Sequence, residues 1–228
     1  MLVSLCLGGR SKVFDMGKLK HFIEQSWLLI VSSLCFGILV AATDAGLSEK
    51  IEQNKANKLN RLTLFLLREA KYFVPVDAQF EVGLGRGKSE KVTVYKAVGE
   101  TQECVGWSLM AVGDGFSGRI ELVVAVDADF GKLMGYEVLV SSETPGFGDR
   151  IKDDYYRSQF RGAPAGGLKL VSAGSADKVD SEIVAITGAT ISSEAVVGIL
   201  NDTVGQIKEQ MQRKGLIQAT KAPRHEGE

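Results

Sequence analysis

The chain has 228 residues, with 27 Lys and Arg against 28 Asp and Glu and a formal net charge of −1. No basic cluster follows the N-terminal segment, so nucleic acid is not expected as a partner. Cys6, Cys35 and Cys104 stand far apart, which argues against an internal disulfide and against zinc or iron–sulfur sites built on clustered thiolates. Because His21 and His225 are the only histidines and lie in peripheral segments, we expect neither histidine-based catalysis nor haem ligation. We predict no metal site and assign no catalytic acid or base.

The first predicted element is an apolar helix that crosses a membrane. Residues 25–43 carry no charge, and Glu24 and Asp44 bound them. A helix of this length extends about 28 Å, close to the roughly 30 Å of a hydrocarbon core. Trp27 lies near one end, where an interface anchor belongs. Basic residues concentrate upstream, so the positive-inside rule predicts that residues 1–24 are cytoplasmic and that the chain beyond Asp44 lies on the outer side.

Two alternatives concern how the chain begins. Residues 41–43, Ala-Ala-Thr, are small enough for cleavage of a signal peptide, but the apolar stretch is longer than a usual signal core, which favours an uncleaved anchor. Met16 is an alternative start, because residues 1–15 show no pattern. After the anchor, residues 44–80 are predicted to form a juxtamembrane helix and linker, with the helix over 46–72.

Residues 81–213 are predicted to form one domain that contains an antiparallel meander. Turn signals rich in glycine and aspartate separate apolar runs that are typical of strands. The predicted strands cover residues 92–95, 103–112, 119–126 and 134–140. Asp127–Gly131 superficially resembles a calcium loop, but Gly131 and Val138 stand where that loop needs ligands, so a hairpin turn is the better interpretation.

The next segment, residues 141–149, combines a turn with a helix start. Pro145-Gly146 fits the centre of a type II turn, and Asp149 is predicted to cap a helix that runs through Phe160. The residues alone leave two interpretations open: a plain strand–turn–helix connection, or a loop against which a flat ring can lie. A glycine-rich link at 162–167 and a weak strand at 168–172 follow.

The most informative segment is residues 187–193, Thr-Gly-Ala-Thr-Ile-Ser-Ser, at the start of a predicted helix over 190–213. Helix N-termini offer free N–H groups and a partial positive charge, which suits a phosphate. The Thr190 hydroxyl is therefore a candidate to hold a phosphate covalently, to lie beside one, or only to cap the helix. The apolar face of the helix over 190–213 consists of Val196, Leu200, Val204, Ile207 and Met211. After this helix, residues 214–228 are predicted to be a flexible tail.

Three segments together resemble one protein family. They are Phe-Ser-Gly and the strand that follows it (residues 116–127), Glu-Thr-Pro-Gly-Phe-Gly-Asp (143–149) and Thr-Gly-Ala-Thr-Ile-Ser-Ser (187–193). Their order, their spacing and the single N-terminal anchor are similar to those of the G subunit of the Rnf ion-translocating ferredoxin:NAD⁺ oxidoreductase. The C subunit of the sodium-pumping NADH:quinone oxidoreductase is a close relative of that protein. The likeness covers most of residues 17–213.

The resemblance implies a cofactor and its site. In this family flavin mononucleotide (FMN) is joined through its phosphate to the last threonine of the third motif, here Thr190. The family often has an aspartate three residues before the first threonine of that motif; Val184 stands there, with Asp180 and Glu182 close by as possible substitutes. The implied site residues are Thr187, Gly188, Ala189 and Thr190 around the phosphate, and Glu143, Thr144, Gly146 and Phe147 along the isoalloxazine ring.

The resemblance also implies a fold and a role. The expected fold class is α+β: one transmembrane helix, then an antiparallel-sheet FMN-binding domain with flanking helices. The expected role is that of an electron-carrying subunit in the bacterial inner membrane, with the FMN domain on the periplasmic side. Its expected partners are other membrane and iron–sulfur subunits, and a flavin transferase for maturation. The alternatives are a flavin carrier in another outer-face electron chain and a cofactor-free interaction domain.

Overall fold

A computed structural model describes residues 16–83, 89–176 and 178–217. The chain divides into two compact units, Met1–Gln53 and Asn54–Glu228. The predicted boundary at residue 81 is later than the start of the second unit. The helices are α1 (Met16–Leu66), α2 (Asp154–Arg157) and α3 (Thr190–Arg213), and the strands are β1 (Tyr72–Pro75), β2 (Phe80–Gly83), β3 (Ser89–Val92), β4 (Val94–Val98), β5 (Cys104–Asp114), β6 (Arg119–Val126), β7 (Leu133–Ser141), β8 (Lys169–Val171) and β9 (Glu182–Val184).

Helix α1 is continuous, although the sequence predicted two helices. It runs from Met16 to Leu66 without a break, because no proline interrupts it and residues 44–66 are mostly good helix formers. The predicted end at residue 72 is wrong, since the chain turns after Leu66 and enters β1. Within the described residues, Glu24–Leu66 is the segment long and apolar enough to cross a membrane. Residues 1–15, which belong to the expected cytoplasmic segment, lie outside the described ranges.

The second unit is organised around a five-stranded antiparallel sheet in the order β1-β4-β5-β6-β7. The predicted strands at 103–112, 119–126 and 134–140 are confirmed as β5, β6 and β7; the bounds of β6 match, and the ends of β5 and β7 are shifted by one or two residues. The predicted strand at 92–95 is in fact two strands, β3 and β4, which meet at Thr93. Two small sheets complete the unit: the antiparallel pair β2–β3 and the parallel pair β8–β9.

The central sheet is buried on both faces, which explains the continuous apolar run of β6. Ile120, Leu122, Val124 and Val126 belong to the same core cluster as Val196, Leu200 and Val204 of α3. Val123 and Ala125 point the opposite way and share a second core cluster with Leu66, the last residue of α1, and Leu67. From Leu122 to Val126 both faces of the strand are apolar, so this part of the sequence lacks the alternation of a half-exposed strand. The α+β fold class is therefore confirmed.

Polar contacts reinforce both helical layers. On one side, Lys55 Nζ lies 2.6 Å from Glu121 Oε2, and this carboxylate is buried on the sheet. On the other side, α3 holds the edge of β2: the Gln206 side chain accepts from the Gly83 N–H over 2.8 Å. Because edge strands expose unpaired backbone groups, this side-chain pairing secures the small hairpin against α3.

The C-terminal end of α3 continues into packed residues. Lys214 Nζ donates to Gln79 O over 2.6 Å and lies 4.6 Å from the centroid of the Phe80 ring. Ile217 packs against the main core. Lys214 and Ile217 therefore contact the domain, while the flexible tail at residues 214–228 stays a prediction and lies mostly outside the described residues.

The segment after β7 is less regular than predicted. Where one helix was expected from Asp149 to Phe160, the chain forms a 3₁₀ turn at Gly148–Lys152, the short helix α2, and another 3₁₀ turn at Ser158–Phe160. Asp149 does not cap this segment; its Oδ1 accepts from the Gly146 N–H over 2.7 Å and so braces the preceding turn. The hairpin turn predicted between β6 and β7 is confirmed, with the Gly131 N–H donating to Asp127 Oδ1.

Candidate functional site

A cavity of about 500 Å³ lies where three segments of the second unit converge. The segments are the β5–β6 turn, the loop after β7 and the start of α3. A volume of this size is within the range of small-molecule sites, about 300–1,000 Å³. The lining residues are Phe116, Thr144, Phe147, Gly148, Gly188, Ala189, Thr190, Ile191 and Ser192.

The start of α3 forms one wall of the cavity. Thr190 is the first helical residue, and its side chain is exposed. The N-cap position falls on Ala189 and has no side-chain cap hydrogen bond, so the interpretation of Thr190 as a simple N-cap is wrong. The first N–H groups of a helix have no partner within it, and they favour an anion. The Thr190 hydroxyl therefore lies at a cavity wall that suits a phosphate.

Hydrogen bonds from buried side chains support the loop before α3. Gly188 takes φ +83°, a left-handed conformation that glycine adopts without strain. The buried Ser193 hydroxyl donates to Ala189 O over 3.0 Å and accepts from the Ile186 N–H over 3.1 Å. Tyr156 donates its phenolic hydrogen to Ser193 O, and burial raises the pKa of this phenol well above its usual value. These contacts fix the loop independently of any ligand.

The loop after β7 forms the opposite wall. Pro145-Gly146 occupies the centre of a β-turn that the Phe147 N–H closes on Thr144 O over 3.2 Å, and Gly146 takes φ +78°. The predicted type II geometry is confirmed. The turn presents Phe147, which is 61% exposed, and Phe116 from the β5–β6 turn is 65% exposed. Two exposed phenylalanine rings at one cavity provide surfaces on which a flat aromatic ligand can stack.

Glu143 lies beneath the cavity rather than along it. Its side chain is 6% exposed, and it is absent from the lining. Its Oε1 accepts from the Ser117 N–H over 3.1 Å, and its Oε2 accepts from the Ser192 hydroxyl over 2.6 Å. At the surface, Ser117 and Thr144 join their hydroxyls at 2.9 Å. Glu143 therefore ties together the three segments that surround the cavity.

The structure brings most of the predicted site residues together. Thr144, Phe147, Gly188, Ala189 and Thr190 line the cavity. Gly146 and Thr187 do not line it: Gly146 shapes the turn, and Thr187 O accepts from Arg150 Nη1 over 3.4 Å.

Sequence reasoning missed four lining residues: Phe116, Gly148, Ile191 and Ser192. All of them lie inside the three quoted motifs, which was the available signal. No local pattern shows which motif residues face the cavity, because that depends on how the three segments meet.

The acidic residues near Val184 do not reach the cavity. Asp180 pairs with Lys178 at 2.5 Å and accepts from the Glu182 N–H, and the hydrogen bond from Lys178 lowers the pKa of the Asp180 carboxyl. The backbone of Val184 is held by both ends of the Gln159 amide. Neither Asp180 nor Glu182 lies among the lining residues.

Comparisons with known proteins agree on this region. Residues 115–205 match the FMN-binding domain family. The chain is 29% identical over 195 residues to the G subunit of the ion-translocating oxidoreductase complex of Methanosarcina acetivorans, covering 86% of this chain and 99% of that protein.

It is also 30% identical over 180 residues to the G subunit of the proton-translocating ferredoxin:NAD(+) oxidoreductase complex of Clostridium ljungdahlii, covering 78% of this chain and 88% of that protein. Among solved structures, it is similar in fold to NqrC of Shewanella oneidensis, with a TM-score of 0.52, 20% identity, and coverage of 64% of this chain and 73% of that one.

Proposed function

Because the chain belongs to the G subunit family of ion-translocating oxidoreductase complexes, we propose that it is a membrane-anchored subunit that carries electrons on FMN bound covalently to Thr190. The observation that carries the proposal is the position of Thr190, the first residue of α3, on the wall of the cavity. A hydroxyl beside the free N–H groups of a helix start is well placed for a phosphoester.

The residues around the cavity fit FMN. The phosphate belongs at the start of α3, where Gly188 has no side chain; a Cβ at that position would have only one carbon of Phe147 as near as 4.0 Å. The isoalloxazine ring needs a flat apolar surface, which Phe116 and Phe147 provide. Bound FMN supplies one- and two-electron chemistry, while the protein binds it, orients it and sets its electrostatics.

The covalent bond has a physical rationale. A carrier outside the cytoplasmic membrane faces dilution of any cofactor that dissociates, and an ester removes that loss. Thr190 is exposed at the cavity, so a flavin transferase can reach its hydroxyl. Relative to free FMN and the free side chain, the threonine oxygen replaces one hydroxyl group on the FMN phosphorus, and that hydroxyl and the threonine hydrogen account for the one water that is lost.

The subunit's setting follows from its family and its first helix. Two relatives are named as parts of ion-translocating or ferredoxin:NAD(+) oxidoreductase complexes, so we propose an Rnf-type complex with other membrane and iron–sulfur subunits as partners. The apolar part of α1 would anchor the chain in the bacterial inner membrane, with the N-terminus cytoplasmic and the FMN domain periplasmic.

The test is direct detection of the bond. The full chain is produced with a flavin transferase, denatured, and examined by intact mass and by flavin fluorescence in a gel. We expect a mass increase equal to one FMN less one water. Thr190→Val should remove both signals, whereas Thr144→Val, which alters the other threonine on the cavity wall, should keep them. Full fluorescence in Thr190→Val, or a bare mass for the unaltered chain, would refute the proposal.

A further inference from the structure

Glu143 is a buried carboxylate with an unusual environment. Both of its oxygens accept hydrogen bonds, one from the Ser117 N–H and one from the Ser192 hydroxyl. The 2.6 Å separation from Ser192 is in the range of O–H bonds to an ionised acceptor. Within the described residues, no lysine or arginine forms an ion pair with Glu143. The contacts therefore hold a negative charge with neutral donors alone.

The backbone around Glu143 is built to admit the carboxylate. A Cβ at Gly115 would come within 2.2 Å of Glu143 Oε1, and a Cβ at Gly148 would come within 2.4 Å of Oε2. Glycine at both positions leaves the room that the two oxygens occupy. Two glycines and two hydrogen-bond donors thus converge on one charge, so the charge has a fixed position.

The Ser192 hydroxyl connects this charge to the cavity. Ser192 lines the cavity and donates its single hydroxyl hydrogen to Glu143. A serine hydroxyl has one hydrogen and two lone pairs, so the side that remains available to a ligand accepts hydrogen bonds and does not donate them. At this point the cavity therefore presents a hydrogen-bond acceptor with a buried carboxylate behind it.

We propose that Glu143 is a positioning residue that, acting through Ser192, lowers the midpoint reduction potential of the flavin held in this cavity. The inference rests on the proposed function. Reduction adds electron density to the ring, and a fixed negative charge in a poorly solvated site opposes it. Charges near the ring are among the means by which a protein tunes a flavin. Glu143 would therefore favour the oxidised cofactor and make the reduced one a stronger donor.

Glu143→Gln tests the charge with little change in shape. The amide oxygen can still accept from Ser117, whereas the amide N–H₂ would donate to Ser192 and reverse that hydrogen bond. The Ser192 hydrogen is then free to point into the cavity. We expect the midpoint potential to rise. The matched control is Glu194→Gln, which removes an exposed carboxylate two residues beyond Ser192 on the same helix; it should leave the midpoint unchanged because solvent screens it.

Ser192→Ala provides a second, independent measurement. It keeps the carboxylate but removes the hydroxyl that neutralises part of it, so the midpoint should fall. This variant decides the question if Glu143→Gln does not fold, and an unchanged or raised midpoint would overturn the inference.

All midpoints are measured by spectroelectrochemical titration of the full chain in detergent, after intact mass has shown equal flavin loading. A wild-type chain without attached flavin overturns the proposed function and this inference with it. Attached flavin with the same midpoint in Glu143→Gln as in wild type overturns this inference alone.

Discussion

Substitution of Gly148 by alanine is the sharpest test of the packing under the cavity. The added Cβ would lie 2.4 Å from Glu143 Oε2 and 2.6 Å from Ser192 Oγ, inside normal contact distance for both atoms. Neither neighbour has room to retreat. Glu143 is 6% exposed and held by Ser117, and Ser192 is 2% exposed on the first turn of α3. The methyl group must therefore separate the carboxylate from the hydroxyl or shift the loop.

The size of the effect follows from these two costs. Forcing an extra carbon into a packed region costs about 1–3 kcal/mol, and losing a hydrogen bond to a charged group costs about 1.5–3 kcal/mol. Replacing glycine by alanine stabilises the folded protein by only about 0.4–1 kcal/mol, because it lowers the conformational entropy of the unfolded chain. We expect a net loss of about 3 kcal/mol, and at roughly 2–4 °C per kcal/mol for a unit of this size, the melting temperature should fall by about 10 °C.

The assay is thermal unfolding of the full chain in one detergent, followed by circular dichroism, with Gly166→Ala as the control. A Cβ at Gly166 meets nothing within 4 Å, so that variant should stay within about 0.5 kcal/mol of wild type. In the double variant Gly148→Ala, Glu143→Ala the loss should be smaller than the sum of the single losses, because one clash is removed. Equal melting temperatures for Gly148→Ala and wild type would refute this account of the buried carboxylate.

Two further predictions concern α3 and the residue that supports its first turn. Gly198→Ala should stabilise the protein by about 0.5–1 kcal/mol, because Gly198 is helical and a Cβ there meets nothing within 4 Å; a lower urea midpoint would contradict this. Tyr156→Phe should cost about 0.5–1.5 kcal/mol, because it removes the hydrogen bond that the buried phenol donates to the Ser193 carbonyl. Burial raises the pKa of Tyr156 above 10.0, so this phenol contributes stability below that pH and loses it as the pH rises further. Tyr156→Phe should therefore lose less stability than wild type as the pH rises above about 10 in urea unfolding, and parallel losses would contradict this assignment.

The sequence determined the features that depend on neighbours along the chain. The uncharged stretch at residues 25–43 predicted an apolar helix, the runs at β5, β6 and β7 predicted the meander, and Pro145-Gly146 predicted its turn. Each of these predictions rests on the hydrophobic period, the segment length or the backbone preferences of single residues, and all three can be read from a short stretch of sequence. The resemblance of three motifs added the family and the candidate role of Thr190.

Tertiary structure alone decided which residues and segments contact each other. β1 was missed because its four residues form a strand only by pairing with β4, and the break expected in α1 does not exist because helix formers carry it on to Leu66. Glu143 and Ser192 are 49 residues apart, and nothing local indicates that they meet. In the sequence, a carboxylate beside a glycine-containing turn is equally consistent with a residue that contacts a ligand and with one that supports the loop. Only the packing of distant segments, which fixes burial and hydrogen-bond partners together, places Glu143 beneath the cavity and Thr190 on its wall.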